Sequence, residues 1–267
     1  MIKLACVLPV WKGDDVVAFQ MAVDSLVNQE LEDNIDLTVF FCLDGDLLES
    51  HLRIIEQSSR YLSTVCVNNK YSSGLAHNLN SGLEDVLSRN FDYIARMDAD
   101  DICLNNRFVI QLKYLEKNLD VDLVGSWSFV MNQGSSVVGE KKVHEVVSFD
   151  SLALSCDVIH PTVVFRRNFF GKFGLYDGSY VKSQDWELWL RSLKRGAVIK
   201  NVQQSLLKLR VDNNLICRRK NEQRYNRKII VQYLSGSSKY KQIARSWLIE
   251  LLPSTILRFL LHREYKT

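Results

Sequence analysis

The chain has 267 residues, 46% apolar and 24% charged, with 12 Gly and 3 Pro. That length allows one large domain or two small ones, and the composition excludes collagen-like, disordered and disulfide-scaffold classes. The formal charge of +3 hides an uneven split: from Lys208 onward there are 14 Lys and Arg against 4 Asp and Glu, and before it 20 against 27.

Strand-like apolar runs at residues 2–9, 37–43, 62–68, 93–97 and 121–126 alternate with helical patterns at 16–28, 47–61, 74–88 and 105–118. Continuous apolar strands separated by helices predict a parallel sheet covered on both faces. Right-handed crossovers then bring the carboxyl ends of the strands to one edge, where open α/β sheets bind ligands. The first strand is followed by Pro9-Val10-Trp11-Lys12-Gly13-Asp14-Asp15 and the second by Asp44-Gly45-Asp46. Asn68-Asn69-Lys70-Tyr71-Ser72-Ser73-Gly74 follows the third, and Asp98-Ala99-Asp100-Asp101 the fourth. Such an acidic edge suits a phosphate only when a divalent cation lies between.

Beyond Ser126 the alternation stops. Residues 129–143, with Gly134 and Gly139, read as a hairpin and 149–157 as a short helix. Next come His160-Pro161-Thr162-Val163-Val164-Phe165-Arg166-Arg167 and Gly174-Leu175-Tyr176-Asp177. Gln184-Asp185-Trp186-Glu187 opens a helix whose apolar face holds Leu188, Trp189 and Leu193. Arg210, Arg218 and Arg219 lie in a basic stretch, and residues 247–263 read as amphipathic helix, either interfacial, packed on the body, or in a dimer contact. A basic end on an acidic body suits phosphates or a lipid surface, with a solvated face as the competing reading.

Six cysteines are scattered without a C-x-x-C pair, and Cys6, Cys42 and Cys66 fall in strand-like runs, so buried thiols in a reducing compartment are expected. No signal-peptide pattern and no apolar stretch of ~18 residues is found, which leads us to expect a soluble or peripheral cytoplasmic protein.

Each chemical motif carries an alternative. Asp98 and Asp100 alternate along an extended segment and so face one ligand together, as hard-cation sites require; alternatively Asp101 or Asn105 caps the next helix. Asp44 suits a base or ribose donor, or belongs to an Asp-Gly turn. The glycines and small residues of 74–82 suit close backbone approach to a ligand or to a neighbouring strand. Asp185 is a helix cap or a general base, with Trp186 offering a sugar its apolar face. The arginines suit a diphosphate or form a solvated strip. No G-x-G-x-x-G follows the first strand, and there is no G-x-x-x-x-G-K-[ST] and no G-x-S-x-G, which disfavours dinucleotide oxidoreduction, P-loop chemistry and a nucleophile elbow.

The order of the blocks, L-P-V-W-K-G-D, L-D-G-D, G-L-A-H-N-L-N-S-G-L, R-M-D-A-D-D-I, H-P-T-V-V-F-R-R, G-L-Y-D and Q-D-W-E-L-W-L-R, resembles family 2 glycosyltransferases of the GT-A fold, in particular bacterial enzymes of O-antigen, capsule and exopolysaccharide assembly. The resemblance covers residues 2–220. It implies a Rossmann-like, mostly parallel α/β fold with a nucleotide-sugar-binding half (1–127), an acceptor-binding half (128–220) and a C-terminal amphipathic helical tail (221–267). It also implies inverting transfer of a hexose, glucose or galactose, from a UDP-sugar to a lipid-diphosphate-linked sugar, with Mn²⁺ or Mg²⁺ as cofactor. Pro9, Val10, Trp11, Asp44, Asn69, Gly74, Asn78, Arg96 and Asp98 would contact the donor, and Asp100 the metal. Asp185 would be the base, and His160, Trp186, Arg210, Arg218 and Arg219 would serve the acceptor or diphosphate. The implied location is the inner face of the bacterial inner membrane, with no nucleic-acid partner and a homodimer allowed. Three departures stand out: Gln184 replaces the usual glutamate, His77 an arginine, and Asp212 a histidine. A sugar-nucleotide pyrophosphorylase would need a Gly-rich, Arg-containing loop where Trp11-Lys12-Gly13 stands. An aspartate phosphatase would carry its D-x-D after the first strand, and a non-catalytic membrane-docked scaffold would have lost Asp98, Asp100 or Asp185.

Overall fold

Ten strands form one mixed sheet in the computed structural model, which describes residues 1–69, 74–154, 157–211, 215–254 and 256–257. In chain order they are β1 (Ile2–Trp11), β2 (Ile35–Asp44), β3 (Ser63–Asn69), β4 (Tyr93–Arg96), β5 (Ile102–Cys103), β6 (Leu123–Met131), β7 (Val137–Lys141), β8 (Val146–Val147), β9 (Val164–Arg166) and β10 (Ile199–Arg210). The main order is β3-β2-β1-β4-β9-β6-β10-β5, with β7 on β6 and β8 on β10. β1, β2, β3 and β4 run parallel, as do β6 and β10.

The expected parallel sheet is interrupted at its centre. β9 lies antiparallel to both β4 and β6, entering after a 3-10 turn at His160–Thr162. Arg166 at its end and Arg167 just after it explain why that strand is anchored: Arg166 donates to the carbonyls of Val121, Leu115 and Asn118, and Arg167 to those of Leu87, Arg89 and Phe91. Both side chains bond carbonyls at and just beyond the carboxyl ends of helices, where the helical ladder runs out.

Helices α1 (Val16–Val27), α2 (Glu49–Ser58) and α4 (Arg107–Lys117) cover one face. Asp15 starts α1 by accepting from Ala18 N at 2.8 Å, an ordinary N-cap. Helices α3 (Leu75–Ser88), α5 (Phe149–Leu154), α6 (Phe169–Phe173), α7 (Gln184–Lys194) and α8 (Leu215–Tyr233) pack on the other, with α9 (Gly236–Leu251) against α8. The strands alternate between the two cores: Ala5 and Val7 face one, and Leu4, Cys6, Leu8 and Val10 the other. That is why both sets of positions are apolar. A Cβ on Gly82 of α3 would stand 2.2 Å from Cys42 Sγ, so the small residue serves helix–strand contact.

Cys6 and Cys42 are buried as expected, but Cys66 is exposed because β3 is the sheet's edge. The 129–143 hairpin is present as β6 and β7. The expected boundary at 220 falls inside α8, whose Ile229 and Ile230 join the core shared with α3, α5 and α7. The far part of the 247–263 segment lies outside the described residues, as does Asp212. Among described residues no helix is long and apolar enough to cross a membrane.

Candidate active site

The carboxyl ends of β1, β2 and β4 bring acids together. Asp14, after β1, accepts from Trp11 N at 2.7 Å, while its carbonyl lies 3.0 Å from Nε2 of the buried His51 on α2. Asp44, at the end of β2, is buried, and its charge and that of Asp98 are both felt at Asp14. Burial, first, and these neighbours hold the Asp14 carboxyl above the ordinary aspartate range. Trp11 is half exposed, and a Cβ on Gly13 would clash with its indole, so Gly13 leaves room for the ring to lie over the loop. Pro9 and Val10, expected on the donor side, are buried in the sheet just before Trp11.

Asp98, Asp100 and Asp101 leave β4 in one turn, and a carboxylate oxygen from each lies within 4.8 Å of the others. Asp101 is not the helix cap that the sequence allowed. It is fully buried, one oxygen accepts from Arg210 N at 2.8 Å, and the other has no partner; α4 instead starts at Asn106 without a side-chain cap. Burial, then the charges of Asp98 and Asp14, push Asp100 up to about 6, against the opposing pull of Arg210. Burial and the same crowding, from Asp98 and Asp100, raise Asp101 well above the usual range. Three crowded carboxylates, one with an orphaned buried oxygen, are the hard-oxygen set a divalent cation neutralises, so the residues fit Mg²⁺ or Mn²⁺.

Arg210 is expected at the diphosphate; its guanidinium is buried, with Nε and Nη1 engaged inside the fold and Nη2 without a partner among the described residues. Nε donates to Asp100 O at 2.9 Å, and Nη1 donates to Asn132 O, Gln133 O and Ser135 Oγ. It clamps the acidic turn to the β6–β7 hairpin. Asn78, expected at the donor, donates to Cys42 O at 2.7 Å and accepts from Asn69, so it ties α3 to β2 and β3. Gly74 opens α3 at φ +86°, a conformation side-chain-bearing residues rarely adopt.

Across the cleft Asp185 is half-buried in the first turn of α7, accepting from Trp186 N at 2.8 Å. Burial raises its carboxyl, while the Trp186 N–H and the Arg96 charge favour the ionised form. Arg96 is buried, ion-paired with Asp98, and its Nε and Nη1 have no partner. Its charge acts on Asp98, Asp185 and Tyr176, linking the two sides of the cleft.

His160, expected near the acceptor or diphosphate, has partners inside the fold. It is buried with Nε2 2.7 Å from Tyr176 Oη and its ring against Tyr176 and Trp189; burial and Arg96 hold it neutral, well below the usual histidine range. Trp186 donates its indole N–H to Leu152 O at 2.9 Å and packs on the core, which fixes it to α5 instead of leaving a free face. Arg218 and Arg219, on the first turn of α8, and Lys182 lie beside Glu222. Sequence reasoning passed over Asp14, Tyr176 and Glu222. Asp14 and Tyr176 stood in the quoted blocks, whereas only docking of α8 brings in Glu222.

Comparison with known proteins agrees with this geometry. Residues 18–172 match the model of the family described as Glycosyl transferase family 2. The chain is similar to a UDP-Gal:alpha-D-GlcNAc-diphosphoundecaprenol beta-1,3-galactosyltransferase of Escherichia coli, 26% identical over 219 residues that cover 81% of this chain and 77% of that one. In structure it resembles S. aureus TarS 1–349 in complex with UDP-GlcNAc, with a TM-score of 0.66 and 11% identity over 93% of this chain and 72% of that one. It also resembles the mannosyltransferase PcManGT from Pyrobaculum calidifontis in complex with GDP-Man and Mn²⁺, with a TM-score of 0.60 and 10% identity over 99% and 76%. These structural likenesses establish the GT-A fold.

Proposed function

The chain belongs to glycosyl transferase family 2, and from that premise we propose that it is an inverting, divalent-metal-dependent hexosyltransferase using a UDP-sugar donor and a lipid-diphosphate-linked sugar acceptor. The observation that carries this reading is the Asp98, Asp100 and Asp101 triad with its orphaned oxygen, linked through Arg96 to Asp185.

Asp100, with Asp98 and Asp101, would hold the cation, which when bound supplies positive charge against the donor's diphosphate. The exposed Trp11 and the Asp44 carboxylate, at the ends of β1 and β2, are the donor-base side. Asp185 takes the proton of an acceptor hydroxyl as its oxygen bonds to the anomeric carbon; the bond from that carbon to the diphosphate breaks, and the electron pair leaves with the nucleotide. One base serves a single displacement, which inverts the anomeric centre. Arg96 favours the ionised base before reaction. Arg218 and Arg219 supply cations for the acceptor's diphosphate.

A lipid-linked acceptor places the protein at a membrane surface, here the inner face of a bacterial inner membrane. Support comes from α9, where Trp247, Leu248 and Leu251 are exposed among basic residues such as Lys241. The E. coli relative's use of a diphosphoundecaprenol acceptor supports the same reading.

The direct test is thermal-shift binding of UDP, GDP and dTDP with and without Mn²⁺, followed by transfer to an α-GlcNAc-diphospholipid. Stabilisation by UDP only with Mn²⁺, and transfer that fails in Asp185→Asn, are the expected results. Metal-independent binding, or normal transfer by Asp185→Asn, refutes the reading.

A further inference from the structure

Helix α8 lies along the segment that leads to the base. Lys228 Nζ donates to Ser179 Oγ at 3.2 Å, Tyr180 Oη to Gln232 Oε1 at 2.7 Å, and Ser183 Oγ to Asn226 Oδ1 at 2.7 Å. Ser179 meets Lys228 and Ser183 meets Asn226, while the long Tyr180 side chain reaches on to Gln232, so the segment lies along the helix. Glu222 is four residues before Asn226, one turn along the same helix face. Asp185 is two residues beyond Ser183, and from there its charge acts on Glu222.

Glu222 is half-buried, with Arg219, Asp185, Arg218 and Lys182 as its charged neighbours. Burial, then Asp185, raise its carboxyl, and the three cations oppose them. Among the described residues no hydrogen bond engages the Glu222 carboxylate, which leaves it open to a donor from outside the chain. A separate feature of the cleft also awaits a ligand oxygen: Arg96 is 3% exposed, and its Nε and Nη1 donate to nothing among the described residues.

We propose that Glu222 is an acceptor-binding residue whose carboxylate accepts a hydrogen bond from a second hydroxyl of the sugar that Asp185 deprotonates. The two acids then grip two hydroxyls of one ring, so that the acceptor class is a sugar with a free hydroxyl near the reacting one. Glu222 orients the ring, and Asp185 takes the proton. The inference rests on Asp185 being the base.

The test measures transfer from UDP-sugar to a synthetic α-GlcNAc-diphospholipid and to its monodeoxy analogues, with the wild type, Glu222→Gln, Glu222→Ala and Asp185→Asn. Stabilisation by UDP with Mn²⁺ reports folding and the donor site in every variant. The expected loss in both Glu222 variants lies in acceptor KM, about tenfold or more, as for a hydrogen bond to a charged group, whereas Asp185→Asn loses kcat. One analogue should cost the wild type a comparable factor and cost Glu222→Ala nothing further. Equal sensitivity of wild type and Glu222→Ala to every analogue overturns the proposal and leaves Asp185 in its role. Normal kcat in Asp185→Asn overturns the base reading and this inference with it.

Discussion

The two sides of the cleft are built differently. The donor-side acids leave the ends of parallel strands whose register the sheet fixes, and Asp101 is locked by the Arg210 main chain. Asp185 instead rides on a helix. Its lead-in contains Ser183 at φ 60°, outside the range most side-chain-bearing residues adopt, held by Asn226 of another helix. A strand end holds charge through many ladder hydrogen bonds, whereas a helix start docked by a few side chains can adjust to an acceptor. The donor side is therefore the rigid half, and the acceptor side is the half where few contacts carry much of the placement.

The sharpest way to separate the halves is a pair of isosteric changes. Asp185→Asn should lower kcat by roughly 10²–10⁴, the worth of a general base, while UDP and Mn²⁺ still raise Tm. Asp100→Asn should do the reverse in binding and abolish the Mn²⁺-dependent rise in Tm. If each variant lost both properties equally, the two sides would be one unit.

Next in size is the support under the rigid half. Arg107 is fully buried and donates to Arg96 O, Gln111 Oε1 and Cys103 Sγ, just below the acidic turn. Arg107→Met should cost about 3 kcal/mol by leaving buried acceptors unpaired, read from urea unfolding. A cost below about 1 kcal/mol would mean that the turn does not depend on it.

Asn226→Ala is smaller, about 1 kcal/mol for one hydrogen bond, but should raise acceptor KM more than it moves UDP binding. An equal effect on both would contradict the local docking of α8.

The smallest expected effect is on pH dependence. Asp100 is pushed up to about 6 and Asp101 is raised as well, so the folded chain holds protons that the unfolded chain has released. Stability without metal should therefore fall as pH rises from about 4 to about 6. Asp100→Asn should flatten that fall in Tm against pH, as should Mn²⁺. A metal-free Tm that rises over the same interval would reverse the sign and disprove the crowding.

The distinction between the halves also explains what could be read in advance. The ends of β1, β2 and β4, and the acids that follow them, were legible because apolar runs and acidic turns are local patterns. Asp185 was legible at a helix start by the same reasoning, supported by the order of family blocks. The internal partners of His160 and Arg210 were not legible, because residue type alone does not say whether a polar group already has partners inside the fold. His160 meets Tyr176 sixteen residues away, and Arg210 meets Asp101 across 109.

The sequence by itself determined the strand–helix alternation, the acidic edge and the family, because each is written in residue periodicity and motif order. Tertiary structure alone decided that β9 enters antiparallel between β4 and β6, that Arg210 clamps the acidic turn, and that α8 carries Glu222 to Asp185. Those outcomes depend on which buried donors find acceptors after distant segments pack, and folding selects such pairs by burial and geometry, which no local pattern records.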